Sequence, residues 1–179
     1  QSRIDMSLPI TQRARQIYEL IASEYSYLRP ADPRAKKLSP TEYLVSQSLR
    51  GVTSNNLIGR PGLICAGYAS VFKELCTRCG ITADYIRGDV VVDMNTGETG
   101  KHAWNVFINE NGEAVPVDAC WRSSGAKRDY FGRSNMFAEG RFADADETYK
   151  DYEEYWISKI RLAKTDEDVF APLVIVDSS

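Results

Sequence analysis

Histidine is almost absent from this chain: His102 is the only one in 179 residues. A mechanism that needs an imidazole base therefore has no rival candidate. Long apolar runs are missing as well. Crossing a bilayer takes about 20 consecutive apolar residues, and stretches such as 90–92 and 171–176 read as strands, so membrane insertion is not expected. Excess positive charge is missing: Lys and Arg number 22 against 25 Asp and Glu, a net charge of −3. With no basic stripe and no interleaving of aromatic and basic residues, nucleic acid is not an expected partner. Cysteine is sparse, and Cys65, Cys76, Cys79 and Cys120 are too few for a disulfide scaffold in a chain this long. The chain starts at Gln1 with no hydrophobic signal region, which reads as a processed or excised fragment and points to a secreted or cell-surface setting.

What is present is the composition of a globular protein, 43% hydrophobic and 26% charged, in a length that suits one domain with its own core. Ile10, Ala14, Ile17, Leu20 and Ile21 recur at three- and four-residue spacing and predict a helix near 10–27. Residues 29–37, with Pro30 and Pro33, read as a connector. Ser39, Pro40 and Glu42 form a helix-start signal, and 51–62 is rich in turn residues. A second helix is expected from Cys65, with Gly80 as its stop. The period then changes. Ala83, Tyr85 and Val90–Val92 favour strands, with a break expected at Gly88. Turn signals at 95–97 and 109–112 separate extended runs, so 102–108 and 114–120 read as a hairpin. The acidic stretch 144–154 reads as a solvated helix that packs on Tyr149, Tyr152, Tyr155 and Trp156. Further strands are expected at 155–162 and 173–176. Helices first and mostly antiparallel strands after them make an α+β plan.

Three strings carry the chemistry. They are Cys65-Ala-Gly-Tyr-Ala69, His102-Ala-Trp-Asn105 and Val117-Asp-Ala-Cys-Trp121. In order they offer a thiol, an imidazole and a carboxylate. A thiol attacks as its thiolate; an imidazole takes the proton, and a carboxylate sets the imidazole's tautomer and orientation. Cys65 follows a turn with Pro61 and Gly62 and opens a helix, whose unpaired N–H groups and positive end favour a thiolate and can receive an oxyanion. Ala66 and Gly67 keep that first turn uncrowded. A turn centred on Glu110 would pair residues whose numbers sum to 220, which sets Asp118 opposite His102. A four-residue turn over 109–112 shifts the pairing by one, and a bulge at Gly112 restores it. Trp104, two residues from His102, shares its strand face and either walls a substrate cleft or fills the core. Cys76 and Cys79 have CxxC spacing and, with Cys120 and His102, the residue types of a zinc site. They lie within an apparent helix without a second CxxC, so they read as packing residues.

These three strings resemble the signature segments of the transglutaminase-like superfamily, a branch of the papain-like cysteine enzymes. The resemblance spans about residues 41–142 and takes in Gly80-Ile81, Arg87-Gly88 and Tyr130-Phe131. Residues 1–40 are left as an unmatched helical extension of a single catalytic domain, 1–179. The resemblance implies a papain-like α+β core with nucleophile Cys65, base His102 and orienting carboxylate Asp118, no cofactor or metal, and a protein or peptide substrate. Ala119-Cys120 departs from the small hydroxyl residue that many bacterial relatives place before the tryptophan, a difference of packing more than of chemistry. The implied reaction is attack on a peptide or glutamine-type amide through a thioester. Hydrolysis is preferred, because a small chain offers little to exclude water. The alternatives are a cross-linking transglutaminase and a non-catalytic interaction module on the same fold.

Overall fold

A computed structural model of the chain describes residues 4–27, 62–123, 129–137 and 140–149. The first helix, α1 (Ile10–Glu24), buries Ala14, Ile17, Tyr18 and Ile21 along one stripe, as the spacing requires. It stops short of residue 27 because β1 (Ser26–Tyr27) leaves it to pair in parallel with β2 (Gly62–Leu63). The second helix, α2 (Cys65–Arg78), begins at Cys65 as expected. It ends in a Schellman turn. Gly80 takes φ +69°, while Ile81 N–H reaches the Cys76 carbonyl at 2.8 Å and Gly80 N–H the Thr77 carbonyl at 3.2 Å.

Four antiparallel strands follow: β3 (Ala83–Asp93), β4 (Glu98–Ile108), β5 (Ala114–Val117) and β6 (Phe142–Tyr149). Their order in the sheet is β5-β4-β3-β6. Two short helices, α3 (Ala119–Ser123) and α4 (Arg133–Phe137), lie between β5 and β6. Alternation along β3 and β4 divides the core between the two faces of the sheet. Ala83, Tyr85, Ala103 and Phe107 face α1 and α2, whereas Ile86, Val90 and Trp104 pack with Tyr130, Met136 and Phe142.

Three expectations are corrected. Gly88 does not break its strand: β3 runs through it, with Gly88 opposite His102 and a slip in the β6 pairing on either side. Residues 144–149 are strand, not helix; β3 needs a partner along its outer edge, and that pairing overrides the helix-permissive acidic composition. The β4–β5 register sums to 222, not 220, because five residues, 109–113, separate the pair Ile108↔Ala114. Asn109 organises that loop, its side-chain oxygen accepting from the N–H of Asn111 and Glu113 at 2.9 Å. The connector at 29–37, the helix start at 39–42, the turn-rich stretch 51–61, the aromatic positions 152–156 and the strands expected at 155–162 and 173–176 lie outside the described residues. Among the described residues, no helix is long and apolar enough to cross a membrane.

Asn105 ties the layers together. Buried on β4, its amide nitrogen donates to the carbonyl of Ala69 on α2 at 2.9 Å and to that of Asp84 on β3 at 3.1 Å. These bonds fix the height of α2 above the sheet, and so the position of Cys65 relative to β4. In Asn105→Asp both donors are lost and a carboxylate faces two buried carbonyls. We expect a cost on the order of 3 kcal/mol and a melting temperature lower by several degrees, at about 2–4 °C per kcal/mol for a chain of this size. A thermal melt unchanged by that substitution would show that Asn105 is not the clamp.

Candidate active site

Cys65 is the first residue of α2. Ile64 before it offers no side-chain cap, and no acidic residue lies in the first turn. The opening N–H groups of α2 therefore keep their positive end directed at the sulfur and at whatever approaches it. Cys65 is only 3% exposed, in the core shared by α1 and α2.

His102 is held on three sides. Its Nε2 meets Asp118 Oδ2 at 2.5 Å. Cys65 lies close enough to the ring to favour its charged form. Its faces lie among aromatic rings: Trp121 stacks at 4.9 Å between centroids and 28°, with Trp104 and Phe142 each at 6.2 Å. Burial disfavours the imidazolium. The Asp118 carboxylate outweighs it, by charge and by hydrogen bond, Cys65 adds to the effect, and the imidazole pKa is pushed up to about 10.

Asp118 reaches His102 by a route different from direct cross-strand pairing. With the observed register β5 ends at Val117, and Asp118 caps α3 instead: its Oδ1 accepts the N–H of Trp121 at 2.9 Å. One carboxylate oxygen holds the helix and the other holds the imidazole. The backbone at this point is braced from α1. The Tyr18 phenol oxygen accepts the N–H of Tyr130 at 2.9 Å, and the Tyr130 carbonyl accepts the N–H of Asp118 at 2.9 Å. Sequence reasoning missed both Tyr18 and Asn105. A buried tyrosine on a helix stripe looks like simple packing, although Asn105 stood within a string already singled out.

The structure brings Cys65, His102 and Asp118 together. Trp104 lies beside the His102 ring at 6.2 Å and packs edge-on against Phe142 at 5.2 Å, 4% exposed like the site residues themselves. Trp121 is nearer to His102 and only partly buried, with the Arg141 guanidinium 5.7 Å above its ring. Cys76 and Cys79 are buried in the first core cluster. Among the described residues, no group of three or more His, Cys, Asp or Glu is arranged to hold a metal ion.

The raised imidazole has a consequence for stability. Because the folded pKa lies above the unfolded value of about 6.5, this group's contribution is complete below that value. It is lost as pH rises through about 10. The lone histidine makes this readable, since a proton NMR titration shows one imidazole spin system. We expect it to remain imidazolium well above neutral pH and to titrate lower in Cys65→Ala, where one stabilising partner is gone. Identical curves in the two proteins would mean that the side chains do not interact before substrate binds.

Helices layered on an antiparallel sheet, with a helix-initiating cysteine against the sheet, give the fold of the papain-like thiol enzymes. The chain belongs to the transglutaminase-like superfamily, whose family model matches residues 3–119, well over half of it. That match takes in α1, which the resemblance read from the sequence did not reach. A solved structure of a candidate cysteine protease from Cytophaga hutchinsonii is similar at 15% identity and TM-score 0.45, over 79% of this chain and 37% of that one. The periplasmic domain of TgpA from Pseudomonas aeruginosa, bound to ethylmercury, is similar at 18% identity and TM-score 0.32, over 65% of this chain and 47% of that one. The chain thus spans less than half the length of either. No curated protein matches it significantly in sequence.

Proposed function

We propose that the chain is a thiol-dependent enzyme acting on peptide or glutamine-type amide bonds, with Cys65 as nucleophile, His102 as base and Asp118 as its orienting carboxylate. The observation that carries this reading is the hydrogen bond of the lone imidazole to Asp118, with the thiol of Cys65, the first residue of α2, near enough to favour the charged ring. The Cys65 sulfur attacks the substrate carbonyl, and the uncapped first turn of α2 receives the oxyanion. His102 passes the proton to the leaving amine. Water or a primary amine then resolves the thioester.

Hydrolysis is the preferred outcome. The Arg141 guanidinium already lies over the ring of Trp121, where a cationic acceptor side chain would otherwise stack. Trp121, rather than Trp104, is the aromatic we assign to the substrate side. No cofactor enters this mechanism, and the substrate is a protein or peptide. Mass spectrometry of a Gln- and Lys-containing protein, incubated with the enzyme with and without added amine, tests the reading. Cleavage or a deamidation shift supports hydrolysis, an amine adduct supports transfer, and an unchanged substrate panel argues for an interaction module.

A further inference from the structure

The aromatic contacts around His102 continue outward from the site. Trp121, stacked on His102, meets Phe142 at 5.0 Å between centroids, and Phe142 meets Phe137 edge-on at 6.1 Å. Phe142 is buried in the middle of this strip, Trp121 is half-buried and Phe137 is 38% exposed, so both ends reach the surface. A guanidinium lies at each end: Arg141 over Trp121 at 5.7 Å and Arg133 over Phe137 at 5.5 Å. Arg141 is anchored to β3, its carbonyl accepting the N–H of Val91 at 2.7 Å. Arg133 is exposed and makes no ion pair among the described residues. Asp129, the acidic residue that precedes α4, is already held by Arg15 of α1 at 2.7 Å. In a chain of net charge −3, two cations on one aromatic strip reverse the sign locally.

We propose that the strip from Trp121 to Phe137 is a substrate subsite that selects acidic peptide segments, with Arg133 as the partner of their carboxylates. The inference rests on the proposed function, because the strip starts at the ring stacked on His102 and so leads away from the amide held at Cys65. A guanidinium on a ring is engaged through its face. Its N–H donors lie in its plane, where they fit the two oxygens of a carboxylate. The exposed Phe137 ring offers apolar area to the methylene groups of a Glu side chain. Two ring contacts separate Trp121 from Phe137, a reach of about three extended residues at ~3.4 Å each. The carboxylate that meets Arg133 therefore belongs about three residues beyond the one beside Trp121. Arg141 adds its positive charge along the way, which disfavours Lys and Arg in the same stretch. Arg133 and Phe137 set affinity and take no part in the chemistry.

Fluorescein-labelled peptides with a central Gln test this on the full chain. One carries a run of Glu on the amino side of the Gln, one carries it on the carboxyl side, and each has a partner with Ser in place of Glu. Binding is read by fluorescence anisotropy, and turnover by the mass of the same peptides with and without added amine. One acidic peptide is expected to bind roughly fivefold tighter than its Ser partner at low salt, and the difference should fade in about 0.5 M NaCl. In turnover the gain should lie in KM and not in kcat. Arg133→Gln should bring the preference within about twofold, and Arg133→Lys should restore part of it, since the charge returns without the planar fork. Equal binding of acidic and Ser peptides, or a preference that survives in Arg133→Gln, overturns the subsite; turnover of those peptides would leave the proposed function standing. Tight acidic binding with no mass change in any peptide contradicts the proposed function, and the strip is then no substrate subsite.

Discussion

Cys65→Ala is expected to abolish turnover, by on the order of 10⁶-fold in kcat, the scale on which loss of a nucleophile acts in thiol and serine enzymes. No thioester can form without the sulfur, and His102 and Asp118 have nothing left to activate. The fold should survive, since the change removes one buried atom from a position that alanine fills in any helix. His102→Ala should lose about as much, because groups that act as a unit do not contribute additively. Steady-state turnover beside a thermal melt reads both. Near wild-type turnover in Cys65→Ala would end the enzyme reading.

Asp118→Asn is expected to cost up to about 10⁴-fold in kcat and some stability at neutral pH, because the buried imidazolium loses the carboxylate that favours it. The carboxylate takes no proton in the proposed mechanism, so on sequence grounds alone the amide should keep some activity. The helix cap sharpens that expectation. The Trp121 N–H needs an oxygen acceptor at the Oδ1 position. An asparagine that keeps the cap must therefore turn its NH₂ toward His102, so that Nε2 has to accept and the ring proton moves to the nitrogen facing Cys65. The imidazole then sits in the wrong tautomer to receive the thiol proton. Asp118→Ala separates the two duties, since it also loses the cap, at about 1 kcal/mol. Turnover of Asp118→Asn within about tenfold of wild type would show that the tautomer is not set from this side.

The sequence was most legible where local physics decides. Gly80 ends α2 because the turn requires a left-handed residue, and Cys65 begins it because Gly62–Leu63 are strand and Ile64 is still extended. The residues that gather at the site were readable from three short strings, since the lone imidazole left no choice of base. What was illegible depends on partners remote in the chain. Residues 144–149 are acidic and helix-permissive, and only the open edge of β3 makes them a strand. Gly88 looked like a break because its cross-strand neighbour, His102, could not be known before the register. The His102–Asp118 contact was expected from a register two residues away from the observed one. It forms because Asp118 has left the strand to cap α3. Tyr18 and Asn105 act through bonds to backbone 112 and 36 residues distant, which no spacing pattern announces.

The central claim is that the lone imidazole activates Cys65 and no other thiol. Brief iodoacetamide treatment of the native protein at neutral pH, followed by tryptic mapping, measures it directly, with His102→Gln as the comparison. The account predicts that peptide 51–73, which carries Cys65, is alkylated first and far ahead of the other three cysteine peptides, and that this lead disappears in His102→Gln. Uniform labelling of all four peptides, or a lead for 51–73 that persists without His102, would contradict it.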